Sequence, residues 1–184
     1  MSNYTRARIA GGTYFFTLVS FDRQLVLTSP LALTSLRAAF RATRLHQPFQ
    51  LDAICLLPDH LHCLWTLPDG DADFSGRWNR IKGIFSKRYL AATVSHADPN
   101  PSRQRKGEAM VWQRRFWEHC IRDADDFRRH LDYLHFNPVK HGHVSRATDW
   151  PWSSLMRYVR LGWYDPAWGT QEPALLRGVS EFGE

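Results

Sequence analysis

Apolar and polar positions change period several times along the chain. TYFFTLVSF, Thr13 to Phe21, is dense in aromatic and β-branched residues and predicts a first strand. Ser29-Pro30 reads as a cap followed by a first helical residue. Leu33, Leu36 and Phe40 then share one helical stripe, with Arg37, Arg41 and Arg44 turned away, and this helix should end near Gln47-Pro48. Phe49 to Leu57 predicts a second strand, Pro58-Asp59 a tight turn, and His60 to Leu67 a third strand. In that third strand His60 and His62 alternate with Leu61, Cys63 and Trp65, so the imidazoles share one face and the apolar set the other. Pro68-Asp69-Gly70-Asp71 is a loop by composition. A second helix starts near Ser75 and carries Trp78, Ile81 and Phe85 on its stripe; the polar stretch Thr93 to Glu108 is expected to be a mobile loop. Phe116 to Arg122 predicts a fourth strand. The last long helix begins among the aspartates from Asp123, which suit a helix N-terminus, and is expected to stop at Asn137-Pro138.

The order β-α-β-β-α-β-α predicts an α+β fold: a ferredoxin-like (RRM-like) antiparallel sheet, right-handed crossovers placing helices on one face, and one added helix. Met1 to Gly12 reads as a flexible basic arm. Asp149-Trp150-Pro151 can start a short helix through Leu161, and residues 150–184 form a C-terminal extension that packs back through Trp163 and Trp168 or covers the active cleft. The reading is one domain over residues 1–184 with no internal repeat.

Composition narrows the class. A hydrophobic fraction of 43%, with 8 Trp and 11 Phe, suits a globular core. No apolar run approaches the roughly 18 residues of a membrane span, and no signal-peptide core follows Arg6 and Arg8, so a cytoplasmic place is expected. Cys55, Cys63 and Cys120 are odd in number and sit among apolar residues, which predicts buried thiols rather than a disulfide framework. A net charge of +6 biases the chain toward a polyanion. Arginines interleave with aromatics in RWNRIKGIF and WQRRFW, a mixture that suits single strands with splayed bases. A solvated basic surface would have the same composition.

Candidate chemistry lies in the third strand and the last helix. Two histidines on one strand face can hold a divalent metal, and the amide oxygen of Asn137 can supply a third ligand. Tyr133 and Asn137 are four apart, one above the other on a face beside the stripe of Phe127, Leu131 and Leu134. Tyr133 would then stand next to the metal. Each residue also has an ordinary use: a His-x-His is often a polar strand face, a helical tyrosine usually packs, and an asparagine before proline suits a helix end. Glu118 and His119 can orient a site residue or simply pack. His135, His141 and His143 have no role on this reading.

The segments LPDHLHCLWTLPDGDADFSGRW and VWQRRFWEHCIRDADDFRRHLDYLHFNPVKHG, with GGTYFFT before them and DWPWSS after, resemble the REP-associated tyrosine transposases, a branch of the HUH-type single-tyrosine transposases. The resemblance spans most of residues 4 to 155. It implies a metal-dependent endonuclease and strand transferase acting on single-stranded DNA hairpins of repetitive extragenic palindromes, read with a short guide sequence, through a 5′-phosphotyrosine on Tyr133. It implies Mg²⁺ or Mn²⁺ at His60, His62 and Asn137, although imidazoles by themselves suit softer metals such as Zn²⁺. It also implies a nucleoid-associated protein and points to a monomer, with a dimer left open. Candidate DNA contacts are Tyr4, Arg6 and Arg8 of the arm, Arg77, Arg80 and Lys82 of the second helix, Arg114 and Arg115, and Lys140. The competing readings are a catalytically quiet hairpin-binding module and a metal nuclease that uses water.

Overall fold

The computed structural model describes residues 8–93 and 111–176. Four strands, β1 (Thr13–Val19), β2 (Gln50–Leu56), β3 (His60–Thr66) and β4 (Trp117–Cys120), form one sheet in the order β2-β3-β1-β4. All neighbours are antiparallel. Helix α1 (Pro30–His46) carries the chain from β1 over β3 to β2, and α2 (Phe74–Thr93) carries it from β3 over β1 to β4. These crossovers produce the split βαβ arrangement expected from the element order.

Strand alternation sorts the side chains into two cores. Tyr14, Phe16, Leu18, Leu61, Cys63 and Trp65 face α1 and α2 and meet Leu36, Phe40, Trp78, Ile81 and Phe85. Trp65 is packed between Phe49 and Trp78, each with its ring centroid 4.2 Å away. Phe15, Ala53, Cys55 and Leu64 face the other way, toward α3 (Ala124–Lys140). The two crossover helices thus share one face, as expected, and the added helix takes the opposite one. Cys55 and Cys63 are buried thiols, whereas Cys120 is only half-buried.

Helix α3 is capped by Asp123, whose side chain accepts from the Asp126 amide at 2.8 Å. The expected stop at Asn137-Pro138 is corrected: the helix runs through Pro138 to Lys140. The preference of a residue before proline is only a bias, and tertiary packing overrides it here, since Asn137 and Pro138 are both buried in the helix. The end comes instead at Gly142, at φ +70°, with His143 N–H donating to the Pro138 carbonyl and Gly142 N–H to that of Val139, both at 2.9 Å. That pair of bonds is a Schellman motif, which needs the left-handed residue that glycine supplies.

The expected helix from Asp149 is also redrawn. A 3₁₀ turn covers Ala147–Asp149, and helix α4 covers Leu155–Arg160. Between and after them the extension sheathes the edge of β2. Leu56 N–H donates to Trp152 O, Ser154 N–H to Ile54 O, and Tyr158 O–H to Asp52 O, all within 2.8–2.9 Å. It also grips α3. Tyr164 O–H donates to Asp132 at 2.6 Å, Ser154 Oγ meets His135 Nε2 at 3.0 Å, and Arg128 lies over the Tyr164 ring at 4.7 Å. Tyr164 and Trp168 are therefore the packed rings of the tail, while Trp163 stays 47% exposed.

Candidate active site

The buried face of α3 carries a second, polar stripe. Asp126, His130, Tyr133 and Asn137, spaced four, three and four, look across at β4, β1 and β3. His60 and His62 project from β3 onto the same side of the sheet, as the alternation required. The structure brings together the four residues singled out from sequence. His60 Nε2 lies 3.3 Å from Asn137 Oδ1. The His60 and His62 rings are 4.9 Å apart, and the Tyr133 ring stands edge-on to His62 at 5.3 Å.

The ring nitrogens are oriented from behind. His60 Nδ1–H donates to Asp59 Oδ1 at 2.6 Å, and Arg23 binds the other oxygen of that carboxylate at 2.9 Å. Burial works against ionising Asp59, but the bonds from His60 and Arg23 prevail and hold its carboxyl well below the usual range. His62 Nδ1 is hydrogen-bonded to Thr17 Oγ1 of β1 at 2.9 Å. A carboxylate only accepts, so Asp59 biases His60 to the tautomer whose lone pair sits on Nε2, while the Thr17 hydroxyl fixes the orientation of the His62 ring. For His60 that lone pair faces the amide oxygen of Asn137, two acceptors at 3.3 Å, which is the spacing of adjacent ligand atoms each about 2.1–2.4 Å from a shared cation. The donor set His60, His62 and Asn137 fits a divalent ion on these grounds. The orienting residues Asp59, Thr17 and Arg23 were not found from sequence; Asp59 appeared there only as a turn residue.

Lys140 reaches back along the helix, its Nζ donating to Tyr133 Oη at 3.2 Å and lying 4.9 Å from the ring centroid. Tyr133 itself is 4% exposed. A second cluster lies one turn and more toward the helix start. His119, Asp126 and His130 each place a ligand atom within 4.8 Å of the others, so these three could hold a metal ion. Asp126 already joins His119 at 2.8 Å and Arg122 at 3.1 Å. Burial opposes its ionisation, yet Arg122 and His119 keep the carboxylate charged. His130 is buried, which lowers its pKa to about 4. The His119 ring stacks on His130 at 4.5 Å and so links the edge strand to the tyrosine helix.

The expected basic contacts divide. Tyr4 and Arg6 lie outside the described residues, and Arg8 is exposed. Arg77 is removed from the candidate DNA face. It is 1% exposed, and its three guanidinium nitrogens bind Asp71, Asp73 O, Pro48 O and Gln47 O. Its place on α2, one position before Trp78, turns it to the loop beneath instead of to solvent. Lys82 bonds the carbonyls of Gln113 and Arg114, at 2.6 and 3.3 Å, and tethers α2 to the segment before β4. Arg80, Arg114 and Arg115 are exposed. Among the described residues no helix is long and apolar enough to cross a membrane.

No protein-family model matches the chain. It is 43% identical over 169 residues to the REP-associated tyrosine transposase of Escherichia coli K12, covering 91% of each chain. A Haemophilus influenzae protein assigned to the same family is 42% identical over 179 residues, 97% of this chain and 99% of that one. A solved REP-associated tyrosine transposase bound to a REP hairpin superposes with a TM-score of 0.76 at 40% identity, covering 95% of this chain and 96% of that chain. With near-complete coverage at this identity and the same architecture, the chain belongs to the REP-associated tyrosine transposases and is a tyrosine transposase.

Proposed function

We propose that this transposase binds REP hairpins and cuts and rejoins single-stranded DNA beside them, with Tyr133 as nucleophile and a divalent ion, Mg²⁺ or Mn²⁺, at His60, His62 and Asn137. The observation that carries the reading is the convergence of Tyr133 with His62 at 5.3 Å and of His60 with Asn137 at 3.3 Å, from two elements distant in sequence. The hairpin in the solved relative supplies the substrate class. On this reading the protein acts on chromosomal DNA, in the cytoplasm at the nucleoid.

A phenol with an ordinary pKa near 10 is ionised in about one molecule per thousand at pH 7, a deficit of roughly 4 kcal/mol. Lys140, donating to Oη, favours the phenolate and orients the oxygen. The electron pair of Oη forms the bond to phosphorus, the phenolic proton passes to water, and the bond from phosphorus to the 3′ oxygen breaks. The 3′ oxygen leaves as a hydroxyl after protonation by solvent. A bound divalent ion would supply Lewis-acid polarisation of the scissile phosphate. Asp59 and Thr17 hold the two imidazoles in place. The phosphate ester on Tyr133 retains the bond energy, so a later attack by a 3′-OH rejoins strands without ATP.

The test is a labelled REP hairpin with unpaired flanks, incubated with protein and Mn²⁺ or Mg²⁺ and run under denaturing conditions. A protein–DNA band that disappears with EDTA and with Tyr133→Phe is expected. Cleavage that survives Tyr133→Phe would give the chemistry to water. Binding without any cleavage would leave a hairpin-binding module.

A further inference from the structure

The end of α3 presents two more rings beside the site, and they have no part in the reaction as written. The Schellman motif fixes His141 and His143 on either side of Gly142. His141 meets His60 edge-on at 5.1 Å. His143 lies nearly parallel to His141, 27° between planes and 6.2 Å between centroids, and nearly parallel to Trp150 at 5.3 Å. Trp152 buttresses Trp150 at 4.7 Å, almost perpendicular to it. Both histidines are exposed, and a Cβ placed on Gly142 would meet nothing within 4 Å, so the space around the turn is open.

We propose that His141, His143 and Trp150 form a stacking shelf that takes one unpaired nucleobase next to the phosphate held at His60. The inference rests on the reading of His60, His62 and Tyr133 as the DNA-cleaving centre. The two rings are 27° from parallel with centroids 6.2 Å apart, so each offers a flat face on which a base can stack. A small opening of the exposed His141–His143 pair admits a base, with Trp150 as a fixed backing wall. Every base has a π face, so such a shelf accepts any nucleotide and contributes affinity and alignment rather than sequence choice. Because His141 also touches the His60 ring, a base seated there holds its attached phosphate at the first residue of the candidate metal set.

The experiment uses full-length Tyr133→Phe protein, which keeps the shelf and cannot form the ester. Synthetic REP hairpins carry 2-aminopurine at one unpaired flank position at a time. One position is expected to lose fluorescence on binding. His143→Ala should restore that fluorescence and weaken hairpin binding about tenfold. His143→Phe should keep both the quench and the affinity. Thermal melts of the His143 variants should match the parent, since the side chain is exposed. If the hairpin binds but no quenched position depends on His143, the shelf is wrong and the cleavage reading stands. If the wild-type protein binds no hairpin or forms no covalent band, the cleavage reading fails and takes the shelf with it.

Discussion

Replacing Arg77 by methionine separates a structural arginine from a DNA contact. The guanidinium makes five bonds: Nη2 to Asp71 Oδ2 at 2.6 Å and to Pro48 O at 2.7 Å, Nη1 to Asp73 O at 2.8 Å and to Asp71 Oδ1 at 3.1 Å, and Nε to Gln47 O at 3.3 Å. Methionine fills much of the same space and satisfies none of these acceptors. Three backbone carbonyls lose a partner, each at about 1 kcal/mol once partial rehydration is allowed. The Asp71 side chain is 35% exposed and regains water, so its loss is discounted to about 1 kcal/mol. Relief of the guanidinium's own desolvation offsets part of the sum, leaving a net loss of about 3 kcal/mol. For a chain of this size that lowers the melting temperature by about 6–12 °C. Hairpin binding, measured below the melt as a function of salt, should keep its affinity within twofold and its slope unchanged. A phosphate contact would behave in the opposite way: removing it would leave the melt alone and reduce the slope by about 0.7–0.9. That second outcome would refute the argument from burial.

Three other outcomes follow from the same geometry. Asp59→Asn removes the charged acceptor behind His60 Nδ1 and should weaken the Mn²⁺ dependence of covalent-band formation by about 10- to 100-fold, read from a metal titration at a temperature below the variant's melt. Tyr164→Phe deletes the bond to Asp132 and should cost about 1–3 kcal/mol in urea unfolding. It should also slow covalent-band formation, because α3 loses an anchor next to Tyr133. Burial lowers the Lys82 pKa to about 8, so the unfolded chain binds more protons than the folded one between about pH 8 and the ordinary lysine value. The stability of the parent relative to Lys82→Met should therefore rise across that window and be flat below it, as followed by melts in a series of buffers.

The strands and the two histidines were legible because period two over His60 to Trp65 puts Leu61, Cys63 and Trp65 on one face and the imidazoles on the other, and the structure keeps that register. The tyrosine helix was legible as a helix, but its surroundings were not. Reading Phe127, Leu131 and Leu134 as the buried stripe gave no place to Asp126 and His130. In the structure the helix is enclosed by the sheet and by the C-terminal extension, so Asp126 and His130 are buried along with Leu131 and Leu134. The spacing Asp126, His130, Tyr133, Asn137 was present in the sequence as a polar heptad pattern. A helix covered on two sides is the circumstance in which such a pattern marks a site. Arg77 misled for a related reason, since a single arginine on an amphipathic helix gives no sign that a loop folds beneath it. Pro138 misled because a local preference was set against burial of the residues around it.

The grip of the extension on α3 also has a consequence for the order in which the molecule can be made. Tyr133 leaves the ribosome well before Tyr158 and Tyr164, whose contacts hold Asp52, Asp132 and the rest of the helix in position. Domains fold from the N-terminal side as they are synthesised. A nascent chain halted after Gly142 has its histidines and its tyrosine but lacks the wall that presses α3 onto the sheet. The candidate site is thus completed by the last part of the fold to emerge, and a partial translation product carries Tyr133 without the wall that positions it.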